Sequence, residues 1–288
     1  MLVLLALLPG CGGDETDARP LVVATTTILG DIVANVAGPE ARVEVIMPPG
    51  ADPHDYSPSS RQAARIARAD LVVMNGLGLE EGLTDVIDGA RGDGVPVLEI
   101  AVGVDPLPRD VTPTDRDPHV WLDPVRMAVA AGHIADALDE IAPGDWQGRA
   151  SAYAEALRTA DTRILASLDR VPDDRRLLVT NHESLRYLAD RYGFAVVGVV
   201  IPGGSTLAEP GSEELAALVA LIDDLQIPAI FADTTEPSTL ARAIAEEADH
   251  PVAVVVLHTG SLGEPGTPAD TLIGMLEENA RLIAEALG

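Results

Sequence analysis

Five residues of this 288-residue chain carry a metal-binding side chain in the segment that follows an apolar run: His54, His119, His182, Asp233 and His258. His54 lies within Pro48-Pro49-Gly50-Ala51-Asp52-Pro53-His54-Asp55-Tyr56-Ser57-Pro58. His119 lies within Asp117-Pro118-His119-Val120-Trp121-Leu122-Asp123-Pro124, and His182 within Thr180-Asn181-His182-Glu183. Three neutral imidazoles and a carboxylate form a natural donor set for Zn²⁺, which takes four N, O or S ligands. The prolines beside His54 and His119 restrict their loops, so these ligands are held before an ion arrives. Asp52, Asp117 and Glu183 stand close enough in the chain to accept from the far ring nitrogens and fix the tautomers. Taken singly, His54 or His119 reads as a loop histidine bonded to a carbonyl; their shared position with His182 favours a common metal. His133, on a helical pattern, and His250, before Pro251, read as helix-face and turn residues.

Such a site needs elements that bring distant loops to one edge. Short, continuous apolar runs at 21–26, 43–47, 71–74 and 97–100 read as strands buried on both faces, as in a parallel sheet. Helical patterns at 28–37, 59–69, 81–90 and 124–141 alternate with them. A long helical stretch follows from about 145 to 170, bounded by Pro143-Gly144 and Pro172. The rhythm then restarts, with strands at 177–180, 195–200, 229–232 and 252–257 and helices at 183–192, 213–225, 237–248 and 269–287. The expected fold is α/β: two lobes, each a four-stranded, mainly parallel sheet flanked by helices, joined by one long helix. The expected divisions are 21–142, 143–172 and 173–288. Ser59 with Gln62 and Thr180 with Glu183 match capping boxes, and Asp123-Pro124 puts an acidic cap before a first-turn proline. In open α/β sheets ligands bind beyond the carboxyl ends of the strands, where all five candidate residues fall.

Composition removes several alternatives. The net charge is −27, from 46 acidic and 19 basic residues, and every basic residue is arginine. Such a chain does not neutralise phosphates, which argues against nucleic acid as a partner. It equally argues against loose attraction to anionic lipid. Aromatic residues are 3%, too few for stacking platforms. The sole cysteine, Cys11, excludes an intrachain disulfide and a cysteine-based zinc knot. It follows an apolar run, Met1 to Leu8, too short to span a bilayer, which needs about 20 residues. Leu8-Pro9-Gly10-Cys11 looks like a bacterial lipobox, so residues 1–10 read as an export signal, Cys11 as the lipidated terminus and 11–20 as a tether.

Together these motifs resemble the zinc- and manganese-binding solute-binding proteins of bacterial ABC importers. The resemblance runs from Val22-Val23-Ala24-Thr25-Thr26 to the last helix. Its specific pieces are the loops around His54 and His119 and the segment His182-Glu183-Ser184-Leu185-Arg186-Tyr187-Leu188-Ala189. It implies two lobes on a rigid helix, a metal between them, an extracytoplasmic, lipid-anchored monomer and an ABC permease as partner. By position, His54, His119 and His182 correspond to the family's first three ligands. Histidine at the third position resembles its zinc members, and imidazoles suit Zn²⁺ better than Mn²⁺. The family's fourth ligand is an acid in a Thr-acid-Ser-Leu stretch; here the stretch is Thr259-Gly260-Ser261-Leu262. Asp233, His258 or water are the replacements, and Asp233 is preferred because a carboxylate offsets the ion's charge. The histidine-rich loop of many zinc members is absent from 105–117.

The expected function is therefore capture of Zn²⁺ and its delivery to a permease, with no bond made or broken. One linking helix implies small lobe shifts rather than wide closure. Two other classes fit the same residues. A zinc hydrolase has three histidines and an open position for water, with Glu183 as base. A metal-linked surface adhesin shares the expected fold.

Overall fold

Burial of β1 (Leu21–Ala24) on both faces explains its unbroken apolar sequence. Val22 and Ala24 join a central core, whereas Val23 joins a second core on the other face. A strand covered on both sides has no place for a polar residue. The computed structural model describes residues 18–109, 115–203 and 205–288. The leader, Cys11 and most of the tether lie outside the described residues.

In the N-terminal half, β1 leads to α1 (Thr27–Ala37), β2 (Arg42–Val45), α2 (Ser60–Ile66), β3 (Leu71–Met74), α3 (Thr84–Gly92) and β4 (Val97–Glu99). The helices α4 (Pro124–Ile141) and α5 (Trp146–Leu168) follow. The C-terminal half runs β5 (Leu177–Thr180), α6 (Arg186–Tyr192), β6 (Ala195–Val199), α7 (Ser212–Asp224), β7 (Ala229–Asp233), α8 (Thr239–Glu247), β8 (Ala253–Leu257) and α9 (Leu272–Leu287). The sheet orders are β2-β1-β3-β4 and β6-β5-β7-β8. The strand pairs within both sheets are parallel. The two lobes thus share one plan, and in each the carboxyl ends of the strands form one edge.

The helix α5 packs on α1 and α4 from the first lobe and on α9 from the second. One apolar cluster runs from Val22 and Ile32 through Leu157 and Ile164 to Phe231 and Ile283, so a single core crosses the lobe boundary. Hydrogen bonds cross it too. The Tyr187 hydroxyl donates to the Asp117 carbonyl at 2.6 Å and accepts from the Leu107 N–H at 2.9 Å. The Leu262 N–H donates to the Thr27 hydroxyl at 2.9 Å.

Helix starts follow the capping residues in two of the three expected cases. Ser59 and Gln62 form both halves of a capping box at α2, and the Asp123 carboxylate accepts from the Val125 and Arg126 N–H groups at α4. Either cap is worth about 1 kcal/mol. The third differs. The Thr180 hydroxyl donates to the His182 carbonyl at 2.6 Å, and α6 begins only after a 3₁₀ turn, Glu183–Leu185. The polar side chain that resembles a cap pins the turn carrying His182 instead. A 3₁₀ turn, Glu81–Leu83, likewise precedes α3.

Candidate metal centre

His54 lies in the loop after β2, His119 in the segment after β4, and His182 two residues beyond β5. Each is buried, at 3%, 1% and 3% exposure. Their rings converge across the lobe boundary, with centroids 5.1 to 5.8 Å apart. The Nε2 of His119 stands 3.4 Å from the Nε2 of His54 and 3.3 Å from that of His182. Two nitrogens at the usual Zn–N distance, subtending a tetrahedral angle, lie about 3.3 to 3.4 Å apart. The spacing matches that of ligands around one small ion.

Local backbone bonds aim each ring. Asp117 Oδ1 accepts from the His119 backbone N–H at 3.0 Å and lies 2.7 Å from its Nδ1. A carboxylate there holds the proton on Nδ1 and leaves the Nε2 lone pair for the cleft. Trp121 packs edge-on to the His119 ring, centroid to centroid 5.3 Å. Asp52 Oδ1 accepts from the His54 backbone N–H at 2.9 Å, while its Oδ2 accepts from the Thr206 hydroxyl of the other lobe at 2.6 Å. The Nδ1 of His54 is buried with no hydrogen-bond partner.

The carboxylate at the Nδ1 of His182 is Glu236, at 3.1 Å, and not the expected Glu183. The backbone of His182 is extended (φ −135°, ψ −179°), and in extended chain successive side chains point to opposite sides. Glu236 reaches the ring from the turn after β7 and is itself held by Asn181, whose Nδ2 donates to Oε2 at 2.6 Å. Sequence reasoning passed over Glu236. The available signal was a carboxylate three residues beyond Asp233, at the same sheet edge.

Asp233, expected as the fourth ligand, sits differently. Its Oδ1 accepts from the Thr235 N–H at 3.0 Å and its Oδ2 from the Thr259 hydroxyl. It groups with His182 and Glu236 rather than with the three-imidazole cluster. It ends β7 in the second lobe, with a carboxylate oxygen within 4.8 Å of a His182 ring nitrogen and of a Glu236 oxygen. His258 turns to Asn279, whose Oδ1 accepts its backbone N–H at 3.0 Å, and stays outside both clusters. Gly260 is buried, and a Cβ there would lie 3.1 Å from Thr235 Oγ1 and 3.4 Å from Pro53 Cδ. A side chain at 260 would therefore crowd Thr235 and Pro53, the residue before His54. His133 lies 3.0 Å from the Gly103 carbonyl through Nε2, and His250 2.9 Å from that of Ile227, both away from the centre.

The site electrostatics differ from ring to ring. Burial, reinforced by the facing His119 and His182, pushes His54 down to about 2. Burial also lowers His119, against the opposing pull of Asp117. For His182 burial acts downward as well, but Glu236, Asp233 and Asp52 together carry its pKa above the usual histidine value. Burial raises Asp52, although Thr206 and the His54 N–H oppose it. Two rings thus stand neutral and ready for a cation, and the third holds its proton more tightly.

Residues 22–286 match the family described as ZnuA, zinc-uptake complex component A, periplasmic. The manganese-binding lipoprotein MntA of Halalkalibacterium halodurans is 29% identical over 295 residues, covering 100% of this chain and 96% of that protein. The iron-binding protein YfeA of Yersinia pestis is 30% identical, covering 100% and 92%. The zinc-binding protein TroA of Treponema pallidum is 30% identical, covering 94% and 90%. Its solved structure superposes with a TM-score of 0.88, covering 94% of this chain and 100% of that one.

Proposed function

This chain belongs to the ZnuA family of periplasmic metal-binding components of ABC transporters, and on that premise we propose that its cargo is Zn²⁺. The observation that carries the reading is the approach of three Nε2 atoms, one from the second lobe and two from the first, at 3.3 and 3.4 Å. Three imidazoles favour Zn²⁺ over the harder Mn²⁺, which takes carboxylate and carbonyl oxygen. The relatives named above carry manganese, iron or zinc in their descriptions, so the donor set of this chain, and not its kinship, supports the choice.

In this reading His54, His119 and His182 bind the ion. Water fills the fourth position, because both oxygens of Asp233 are engaged by Thr235 and Thr259. Asp233 contributes negative charge from there. The loaded protein then docks on a membrane permease, anchored through Cys11 on the extracytoplasmic side as a monomer. Among the described residues no helix is long and apolar enough to cross a membrane. The core and hydrogen bonds shared by the lobes support small loop shifts during loading.

Calorimetric titration with zinc, in competition with manganese, tests the proposal on the wild type and on His54→Ala, His119→Ala and His182→Ala. Each substitution is expected to weaken zinc binding by more than about 100-fold, beyond what loss of an outer partner costs. Unchanged affinity in all three variants, or tighter binding of manganese by the wild type, refutes it.

A further inference from the structure

The three imidazoles are served unequally on the sides that face away from the cleft. His119 has Asp117 at 2.7 Å, His182 has Glu236 at 3.1 Å, and the Nδ1 of His54 has no partner. The three rings bring no negative charge of their own to a divalent ion, and the stretch after β8 supplies only Gly260, where a Cβ would already crowd Thr235 and Pro53. The compensating charge must therefore act through the rings.

Glu236 is placed for that task. Its side chain is 8% exposed and that of His182 is 4% exposed. One carboxylate oxygen is fixed by the Asn181 amide, while the other, Oε1, has no hydrogen-bond partner and lies against an equally unpartnered His182 Nδ1. A buried carboxylate oxygen left without a donor is costly. The arrangement closes only if the imidazole keeps its proton on Nδ1. The lone pair is then on Nε2, the nitrogen 3.3 Å from His119 Nε2. Asn181 is also the residue next to His182, so one short segment carries both the ring and the group that holds its partner.

We infer that Glu236 is a positioning residue for cargo binding: it fixes the tautomer and orientation of His182 and supplies, through that ring, negative charge that no side chain at position 260 provides. The inference rests on the three-imidazole reading above and assigns to the turn after β7 a role in setting affinity. A ring held this way is also a stronger donor, because the carboxylate draws positive charge to the Nδ1–H as the ion takes electron density from Nε2.

Two substitutions separate charge from orientation. Glu236→Gln keeps an oxygen that accepts from Nδ1–H and removes the charge; Glu236→Ala removes both. Zinc affinity is measured by chelator competition. The His182 tautomer of the metal-free protein is read by long-range ¹⁵N–¹H correlation at mildly alkaline pH, where the rings are neutral. Glu236→Ala is expected to weaken zinc binding by about 10–100-fold and to move the His182 proton off Nδ1. Glu236→Gln is expected to lose less affinity and to keep the Nδ1–H tautomer. A merely structural residue would leave the tautomer unmoved. The inference is overturned if both variants keep wild-type affinity and tautomer while His182→Ala abolishes binding, and that pattern leaves the three-imidazole site standing. If His182→Ala itself binds zinc normally, the site reading and this inference fall together.

Discussion

The indole N–H of Trp121, in the first lobe, donates to the backbone carbonyl of Thr259, in the second, at 2.7 Å. The two residues tie the ends of the site together. Trp121 packs edge-on to His119, and the Thr259 hydroxyl donates to Asp233 beside His182. Trp121 is 3% exposed and Thr259 is 3% exposed, so the carbonyl has no access to water as a substitute partner. This buried bond is one of several that join the lobes, and it lies between the surroundings of His119 and of His182.

Trp121→Phe keeps an aromatic ring and removes the donor. The variant is expected to lose about 1–3 kcal/mol of unfolding free energy, the cost of stranding a buried acceptor. It is also expected to bind zinc more weakly. Denaturant unfolding and zinc titration measure the two effects, and an unchanged unfolding midpoint contradicts the first.

Asp233→Asn tests where that carboxylate stands. With both oxygens engaged by Thr235 and Thr259, removal of its charge is expected to weaken zinc binding no more than about 10-fold, near the lower end for an outer partner. A loss as large as that of His54→Ala would mean that Asp233 reaches the ion directly.

Gly260→Asp offers the ion a fourth protein ligand. The new Cβ meets Thr235 Oγ1 at 3.1 Å, so a small rotation of Thr235 must accommodate it. Zinc binding is expected to tighten, and manganese to gain proportionately more, because an oxygen donor suits the harder ion. Competition titration of both metals decides; a variant weakened for both contradicts the expectation.

Proton release on binding follows from the unequal rings. His54 and His119 have lowered pKa values and are already neutral near pH 7. His182 has a raised pKa, so it is the ring at which protons compete with the ion. Protons released on zinc uptake are therefore expected to come from His182 and not from all three rings, with affinity falling as pH drops through the His182 pKa. Because that pKa is raised, the fall begins above pH 6.5. Calorimetry in buffers of different ionisation enthalpy counts the protons.

The metal-free protein has its own pH dependence, with two opposed signs. His54 titrates near 2 when folded and at 6.5 when unfolded, so its contribution to stability is complete above pH 6.5 and is lost as pH falls from there toward 2. His182 acts oppositely: its contribution is present below 6.5 and is lost as pH rises through its raised folded pKa. Unfolding curves of His54→Ala and His182→Ala across this range are expected to lose these two dependences separately.

Local sequence was sufficient for the elements and their order. Continuous runs such as 71–74 and 177–180 coincide with β3 and β5, and Asp123-Pro124 marks the start of α4. These outcomes depend on strand burial and on hydrogen bonds within a few residues, which the amino-acid order encodes directly. The Thr180 cap did not form because the same hydroxyl had a nearer acceptor in the turn, a competition between two local bonds that spacing alone does not resolve.

Periodicity was enough to place three histidines in segments that follow strands, since it locates the strands and the strands locate their loops. Only the tertiary structure decided which nitrogens face one another, that Glu236 and not Glu183 stands behind His182, and that Asp233 stays apart from His54 and His119. The reason is physical. A strand end is set by its own residues, but the partner of a ring nitrogen is set by how β7, β5 and the opposite lobe pack around it, through contacts separated by tens of residues in the chain.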